Sequence, residues 1–366
     1  MNRPIRLAVL VFGVAVMALV VGLTYWQAIA ADQLQDHDQN PRRSREESGQ
    51  ERGTIISADT AVLARSVPVE PDSYSYRREY LYGTEYAHLI GFSSRRFGDQ
   101  GLEAALDDTL RSRAGLTPGR IFDALIGEDL RPYSIQLTLN HEIQTAAVRA
   151  LGDHKGGVVA MEPSSGQVLV MAGSPSFNPN ALLESEAAAY RDELVDHPDR
   201  PLYNRAIGAS SLDFLTLEET VSSDSFDRAS PLGLAIKVAA VTRDDFRMRP
   251  YVVARIFDAD SNQVFSAEPQ PFDEADSLSE GTFEIGPNLR PFTIQSSGHG
   301  TLEGQGGMGR HQSESGEATA WFFGSMPATD PAIIVAVVIE DTNENQANRI
   351  GRRVLRAWVS VLEAEA

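Results

Sequence analysis

The sequence predicts an α+β protein with an antiparallel central sheet flanked by helices, preceded by a mainly β region and an N-terminal transmembrane helix. Two apolar runs at residues 158–161 and 168–172, joined by the turn Pro163–Gly166, are typical of neighbouring strands with both faces covered. A helix is expected just before them, because Asn140 is a good N-cap and apolar residues then recur on one face. A second amphipathic helix is expected to close the chain at residues 349–365.

The first soluble region is expected to be mainly β with one short helix. An extended segment opens at Arg52, and residues 62–69 continue a β-like pattern. Leucines at every fourth position predict one helix over residues 101–112, with Glu103 and its other acidic residues solvated.

The later part of the chain is expected to add a helix and a strand pair. Ser230 and Pro231 are a typical N-cap and first-turn pair. Strands are expected at residues 321–325 and 333–339. Residues 258–284 are acidic and contain prolines, which predicts an irregular exposed insertion.

The N-terminus carries a membrane signal. Arg3 and Arg6 precede an uncharged run, which predicts a transmembrane anchor over residues 7–26. The positive-inside rule then places residues 1–6 in the cytoplasm and the bulk of this single-pass plasma-membrane protein outside. The alternative is a signal peptide cleaved at the small-residue site of residues 28–30.

Composition excludes several classes of function. The net charge of −19 would repel nucleic acid, and the chain has no cysteine for disulfides, thiolate chemistry or Cys-bound zinc. His299 and His311 lack the spacing of metal ligands, so no metal is expected. Residues 304–309 match G-x-G-x-x-G, but a polar loop follows, which predicts a flexible loop and no cofactor.

Five segments follow one another along the chain: RGTI from Arg52, GLEAALDD from Gly101, LTLNHEIQTAAVRAL from Leu137, VVAMEPSSGQVLVMAGSPSFNPN from Val158 and NRA from Asn204. In this order they resemble class B penicillin-binding proteins. The resemblance implies a stalk and an elongated, dimerisation-like pedestal domain at residues 27–153. It implies a truncated transpeptidase-like domain at residues 154–366, and therefore a role in peptidoglycan synthesis.

The motifs on which the chemistry of that family depends are missing. Its nucleophile lies in Ser-x-x-Lys, but the residue three before Lys155 is Gly152 and the residue three before Lys237 is Leu234. These are the only lysines, so Lys-Thr-Gly is absent too. A degenerate third motif is expected at Gly298, His299, Gly300 and Thr301. The sequence therefore predicts no catalytic residues and a pseudoenzyme.

Three functional hypotheses remain open. The first is an inactive scaffold or regulator that binds cell-wall synthesis proteins: a polytopic glycosyltransferase, an active penicillin-binding protein, or divisome or elongasome components, with peptidoglycan peptide as a further ligand. The second is an enzyme in which Ser297 and His299 act as substitute nucleophile and base. The third is a decaying gene product.

Overall fold

A computed structural model describes residues 51–70, 75–111, 131–208, 230–242, 248–271, 289–298, 300–312 and 318–365. The strands are β1 Ile55–Ile56, β2 Val62–Pro68, β3 Tyr76–Tyr80, β4 Phe92–Ser94, β5 Gly98–Gln100, β6 Ser134–Leu137, β7 Gly156–Met161, β8 Val168–Ser174, β9 Val253–Phe257, β10 Gln263–Ser266, β11 Arg290–Ser296, β12 Gly300–Gln312, β13 Ala318–Met326 and β14 Ile333–Glu340. The α-helices are α1 Ala87–Ile90, α2 Leu102–Ala105, α3 Asp107–Leu110, α4 His141–Leu151, α5 Ala187–Asp196, α6 Pro231–Thr242 and α7 Glu344–Glu365.

Of the described strands, twelve form two six-stranded sheets, and β4 and β5 pair in a two-stranded sheet. The first sheet has the order β10-β9-β6-β1-β2-β3 and the second has the order β11-β12-β13-β14-β7-β8. Neighbours in the second sheet are all antiparallel, which confirms the predicted strand arrangement. In the first sheet β1 runs parallel to β6, and β9 and β10 are supplied by the later part of the chain. The predicted domain boundary between residues 153 and 154 stays a prediction.

The second sheet is covered by helices on both faces. Every residue of β7 is buried, as expected for a strand with an apolar face on each side. Val159 and Met161 belong to the core that includes α6, whereas Val158 and Ala160 belong to the core of α4 and α7. This mixed fold of helices and sheets agrees with the α+β prediction.

Two helices begin at the capping residues that the sequence predicted. The Asn140 side chain accepts a hydrogen bond from the Ile143 N–H at 3.1 Å and caps α4. The Ser230 hydroxyl accepts one from the Gly233 N–H, also at 3.1 Å, and caps α6. The closing helix begins at Glu344, earlier than the predicted residue 349.

The helix predicted over residues 101–112 is wrong in two respects. It is two four-residue helices, α2 and α3, separated at Leu106, whose φ of −116° is not helical. Glu103 is not solvated but 0% exposed. The leucine stripe was real, but it could not reveal that buried arginines from elsewhere in the chain surround this carboxylate.

The residues that the structure describes between 51 and 365 form one compact unit. None of the helices described between residues 51 and 365 is long and apolar enough to cross a bilayer. The anchor predicted at residues 7–26 lies outside the described residues and stays a prediction.

Candidate functional site

The predicted third motif lies at the tip of the β11–β12 hairpin. Ser297 and Gly298 form the turn, and Gly300 and Thr301 begin β12, where Gly300 pairs with Ser296. Gly300 has a φ of +71°, which favours glycine. His299 lies outside the described residues. Since β11 is the outer strand of the second sheet, the described part of the motif lies at the sheet edge.

One carboxylate from the last helix holds this turn. Glu363 on α7 accepts hydrogen bonds from the Ser296 hydroxyl, from the Ser297 hydroxyl at 2.9 Å, and from the Ser297 and Gly298 N–H groups at 2.5 and 3.4 Å. The hydrogen bonds from the Ser296 and Ser297 side chains lower the pKa of Glu363 to about 2. A carboxylate with so low a pKa is a weak base, so this contact suits a structural clamp better than activation of Ser297 as a nucleophile.

The contact between Glu363 and this turn was not predicted from the sequence. No acid that could orient Ser297 was found, because Glu363 lies 66 positions later in the chain. Nothing in the sequence signals the contact, which arises only when α7 packs across the sheet and its last turn reaches the hairpin.

The glycine-rich run at residues 304–309 is part of strand β12 and not the flexible loop that was predicted. Its glycines leave room for aromatic rings from β13: a Cβ on Gly307 would lie 2.8 Å from the Phe323 ring, and one on Gly309 would lie 2.5 Å from the Trp321 ring. The two rings stack in parallel, with centroids 6.0 Å apart. The G-x-G-x-x-G pattern therefore serves cross-strand packing of aromatic rings.

The NRA segment lies against the middle of the second sheet. Arg205 is nearly buried and pairs with Glu340 at 2.8 Å. A Cβ on Gly157 of β7 would lie 2.8 Å from backbone atoms of Ala206, so glycine is required for this approach. The segment that precedes residues 209–229 is thus fixed on the sheet, while residues 209–229 themselves, including all serines there, lie outside the described residues.

A buried histidine joins this segment to the first part of the chain. His88 on α1 donates from Nε2 to the Pro201 carbonyl at 2.7 Å, and Asn204 donates to the His88 carbonyl at 3.3 Å. Burial lowers the pKa of His88 to about 4, although the hydrogen bond to Pro201 acts in the opposite direction. His88 is therefore neutral at pH 7 and acts as a structural donor.

The two lysines occupy different environments. Lys155 pairs with Asp199 at 2.5 Å in a half-exposed position, and this hydrogen bond raises the pKa of Lys155. A raised pKa keeps its ammonium group charged, which is unsuitable for a general base. Lys237 lies half-buried on α6.

A buried ion-pair cluster that the sequence did not predict joins β3 of the first sheet to β5, α2 and α3 through Arg52. Glu103 pairs with Arg52 at 2.9 Å and with Arg78 at 2.7 Å. Asp99 and Asp107 also pair with Arg52, at 3.2 and 2.6 Å. The contact between Arg52 Nε and Glu103 is an ion pair without an aligned hydrogen bond. Arg52 and Glu103 belong to the first two motifs that carry the family resemblance, so both motifs serve one structural cluster.

Within the described ranges, no group of three or more His, Asp or Glu side chains is arranged to hold a metal ion. The acid–base groups that the described residues bring together include the Glu363 clamp, the His88 contact and the Glu103 cluster.

Two family models match the chain. Residues 52–135 match the penicillin-binding protein A dimerisation domain, and residues 209–359 match the penicillin-binding protein transpeptidase domain. The peptidoglycan D,D-transpeptidase PbpA of Mycolicibacterium smegmatis is 35% identical over 216 residues, which are 57% of this chain and 44% of that protein. PbpA of Mycobacterium tuberculosis is 38% identical over 208 residues, 53% of this chain and 42% of that protein. The matched region thus spans less than half the length of these curated relatives.

Solved structures show the same fold. Penicillin-binding protein A from M. tuberculosis, as an imipenem acyl-enzyme complex, aligns with a TM-score of 0.67 at 21% identity, over 86% of this chain and 99% of that one. The D,D-transpeptidase domain of a peptidoglycan glycosyltransferase from Eggerthella lenta aligns with a TM-score of 0.61 at 23% identity, over 86% and 99%.

These comparisons overturn one prediction. We expected a pseudoenzyme, but the relatives are named peptidoglycan D,D-transpeptidases, and no described residue gives a positive sign of inactivity. The prediction inferred lost activity from missing motifs alone, whereas the transpeptidase match includes residues 209–229, which lie outside the described residues. The chain is a member of the class B penicillin-binding protein family, with a dimerisation domain and a transpeptidase domain of that family.

Proposed function

We propose that this protein works in peptidoglycan synthesis as a single-pass plasma-membrane protein whose extracytoplasmic part binds other cell-wall synthesis proteins. The observation that carries the proposal is the order of the two family matches, dimerisation at residues 52–135 and transpeptidase at residues 209–359, behind a predicted anchor at residues 7–26. A polytopic glycosyltransferase, an active penicillin-binding protein and divisome or elongasome components are the proposed partners.

The contacts between the two parts of the chain support a positioning role. Arg52, Arg78 and Glu103 lock strands and helices of the first part together. His88 and Asn204 then tie that part to the segment lying on the second sheet. Buried contacts of this kind hold one geometry, which suits a protein that presents partners at a fixed orientation.

Cross-linking in living cells tests the proposal. The full chain, tagged at its C-terminus, is cross-linked and purified from membranes beside a matched control that keeps only residues 1–51. Enrichment of cell-wall synthesis proteins with the full chain and not with the control supports the proposal. The same proteins in both samples, or in neither, would overturn it.

The names of the relatives favour a second candidate function, D,D-transpeptidation. It requires a serine nucleophile activated by something other than the lysine of Ser-x-x-Lys, because neither lysine follows a serine at that spacing. The candidate serines are Ser210, Ser211, Ser222, Ser223, Ser225 and Ser297.

Covalent labelling of the full chain by a fluorescent penicillin tests this second candidate. A label that disappears when one of the candidate serines is changed to alanine identifies the nucleophile. No label under conditions that saturate an active penicillin-binding protein would rule out β-lactam-sensitive transpeptidation, while leaving the partner-binding proposal to its own test.

A further inference from the structure

A row of arginines lies on the outer face of the α4–α7 layer. Arg349, Arg353 and Arg356 are exposed on α7, and Arg149 is exposed on α4. A contact of 2.7 Å between Gln346 and His154 joins the start of α7 to the segment after α4, so Arg149 and Arg349 lie at the same end of the layer. We call these four residues the basic face.

The basic face is positively charged, although the protein as a whole is strongly acidic. The chain has a net charge of −19, yet none of the four arginines forms an ion pair with any residue that the structure describes. The exposed arginines therefore retain their full charge for a ligand. Their guanidinium groups suit carboxylates, which they can bind in bidentate fashion.

The residue pattern favours a narrow acidic ligand over an anionic bilayer. None of the described exposed large apolar residues lies on the basic face, so it offers nothing to insert into lipid. A planar anionic surface would also meet the acidic remainder of the chain and repel it. A helix with carboxylates along one side can contact the row of arginines alone.

The chain itself presents such a helix. On α5, Asp192, Glu193 and Asp196 are exposed and form no ion pair with a described residue. Asp196 follows Asp192 by four residues and Glu193 by three, so these carboxylates span one helical turn, while Arg349, Arg353 and Arg356 are spaced by four and three residues over two turns of α7. In both helices those intervals correspond to about 4.5 and 6 Å along the axis. Val195, beside them, is 55% exposed and can cover the apolar stem of an arginine.

We propose that the basic face on α4 and α7 docks the acidic side of α5 from a second copy of this chain. Among the described residues of one molecule no ion pair joins the two helices, so both faces are left for a contact between molecules. Each copy carries both faces, and a two-fold arrangement closes two such contacts at once. The contact is electrostatic at its centre, and it therefore weakens as salt rises.

Sedimentation of the full chain in a mild detergent tests this inference with two charge-reversal variants. One carries Arg349→Glu, Arg353→Glu and Arg356→Glu, and the other carries Asp192→Lys, Glu193→Lys and Asp196→Lys. A control carries Arg77→Glu, Arg255→Glu and Arg310→Glu, which change three exposed arginines elsewhere by the same total charge as the first variant.

The expected result has three parts. The wild-type protein and the control self-associate, with an association constant that falls about tenfold or more between about 0.05 and 0.5 M salt. Each reversal variant alone stays monomeric. An equal mixture of the two reversal variants associates again, because the reversed faces complement each other.

Several results would overturn the inference. They are a wild-type protein that is monomeric at low salt, reversal variants that associate as the wild type does, loss of association in the control, and a mixture that stays monomeric. Circular dichroism of each variant confirms that it is folded before its sedimentation is interpreted.

Discussion

The Gln144 side chain forms two hydrogen bonds with the Met171 backbone, in the way that a neighbouring strand would. The amide oxygen of Gln144 accepts the Met171 N–H and its nitrogen donates to the Met171 carbonyl, both at 2.9 Å. Met171 lies on β8, the last strand of the second sheet. This side chain therefore satisfies buried polar groups at the edge of the sheet, where no further strand of the described part of the chain pairs with them.

Replacing Gln144 by alanine should destabilise the fold. The change leaves the buried Met171 N–H and carbonyl without partners, and we expect the free energy of unfolding to fall by about 3 kcal/mol. Urea denaturation measures it. The matched control is Gln295→Ala, at an exposed position, for which a change of less than about 0.5 kcal/mol is expected. Equal effects of the two variants would contradict the role given to Gln144.

Glu103→Gln should be more damaging still. It removes the charge that balances two buried guanidinium groups, those of Arg52 and Arg78, at an expected cost of about 3–5 kcal/mol. The control is Glu79→Gln, which breaks an exposed pair with Arg65 and should cost about 1 kcal/mol or less. Thermal unfolding compares the two variants, and a Glu103→Gln protein as stable as the control would refute the buried-cluster interpretation.

His88 should make the protein acid-sensitive. Its pKa is about 4 in the fold, below the ordinary 6.5, so the unfolded chain takes up a proton first as pH falls. The contribution of neutral His88 to the free energy of unfolding is fully present above pH 6.5. It is lost between pH 6.5 and 4, a decrease of about 3 kcal/mol. His88→Gln keeps a donor for Pro201 but does not titrate. Unfolding free energies measured from pH 7.5 to 4 should therefore fall more steeply for the wild type than for the variant, and parallel curves would contradict this account.

Glu363 should hold the β11–β12 turn over most of the pH range. Its pKa is lowered from 4.5 to about 2, so the clamp is fully present above pH 4.5 and is lost only as pH falls through about 2. With Glu363→Gln, hydrogen exchange at the Ser297 and Gly298 amides should speed up at pH 7. Glu344→Gln, at the other end of α7, is the control and should leave those amides unchanged. Unchanged exchange in the Glu363 variant would show that the clamp does not hold the turn.

The features that followed from the sequence depend on neighbours in the chain. The caps at Asn140 and Ser230 each bond to an N–H three residues later, so local patterns sufficed. The apolar runs of β7 and β8 predicted burial for the same reason.

The features that were missed depend on contacts between distant residues. Glu103 meets Arg52 from 51 positions away, and Glu363 meets Ser297 from 66 positions away. The run that contains Gly307 and Gly309 was predicted to be a loop, because the sequence does not show that these glycines pair with Phe323 and Trp321 on β13. The prediction of a pseudoenzyme was wrong for a different reason, because it inferred the chemistry from the absence of short sequence motifs alone.

The rate at which new peptidoglycan is made tests the central claim most directly. Cells depleted of this protein are pulsed with a fluorescent D-amino acid, and its incorporation at growth sites is compared before depletion, after depletion and after re-expression of the full chain. Our account predicts that incorporation falls on depletion and recovers with the full chain but not with residues 1–51 alone. Incorporation that is unchanged by depletion would contradict a role in peptidoglycan synthesis.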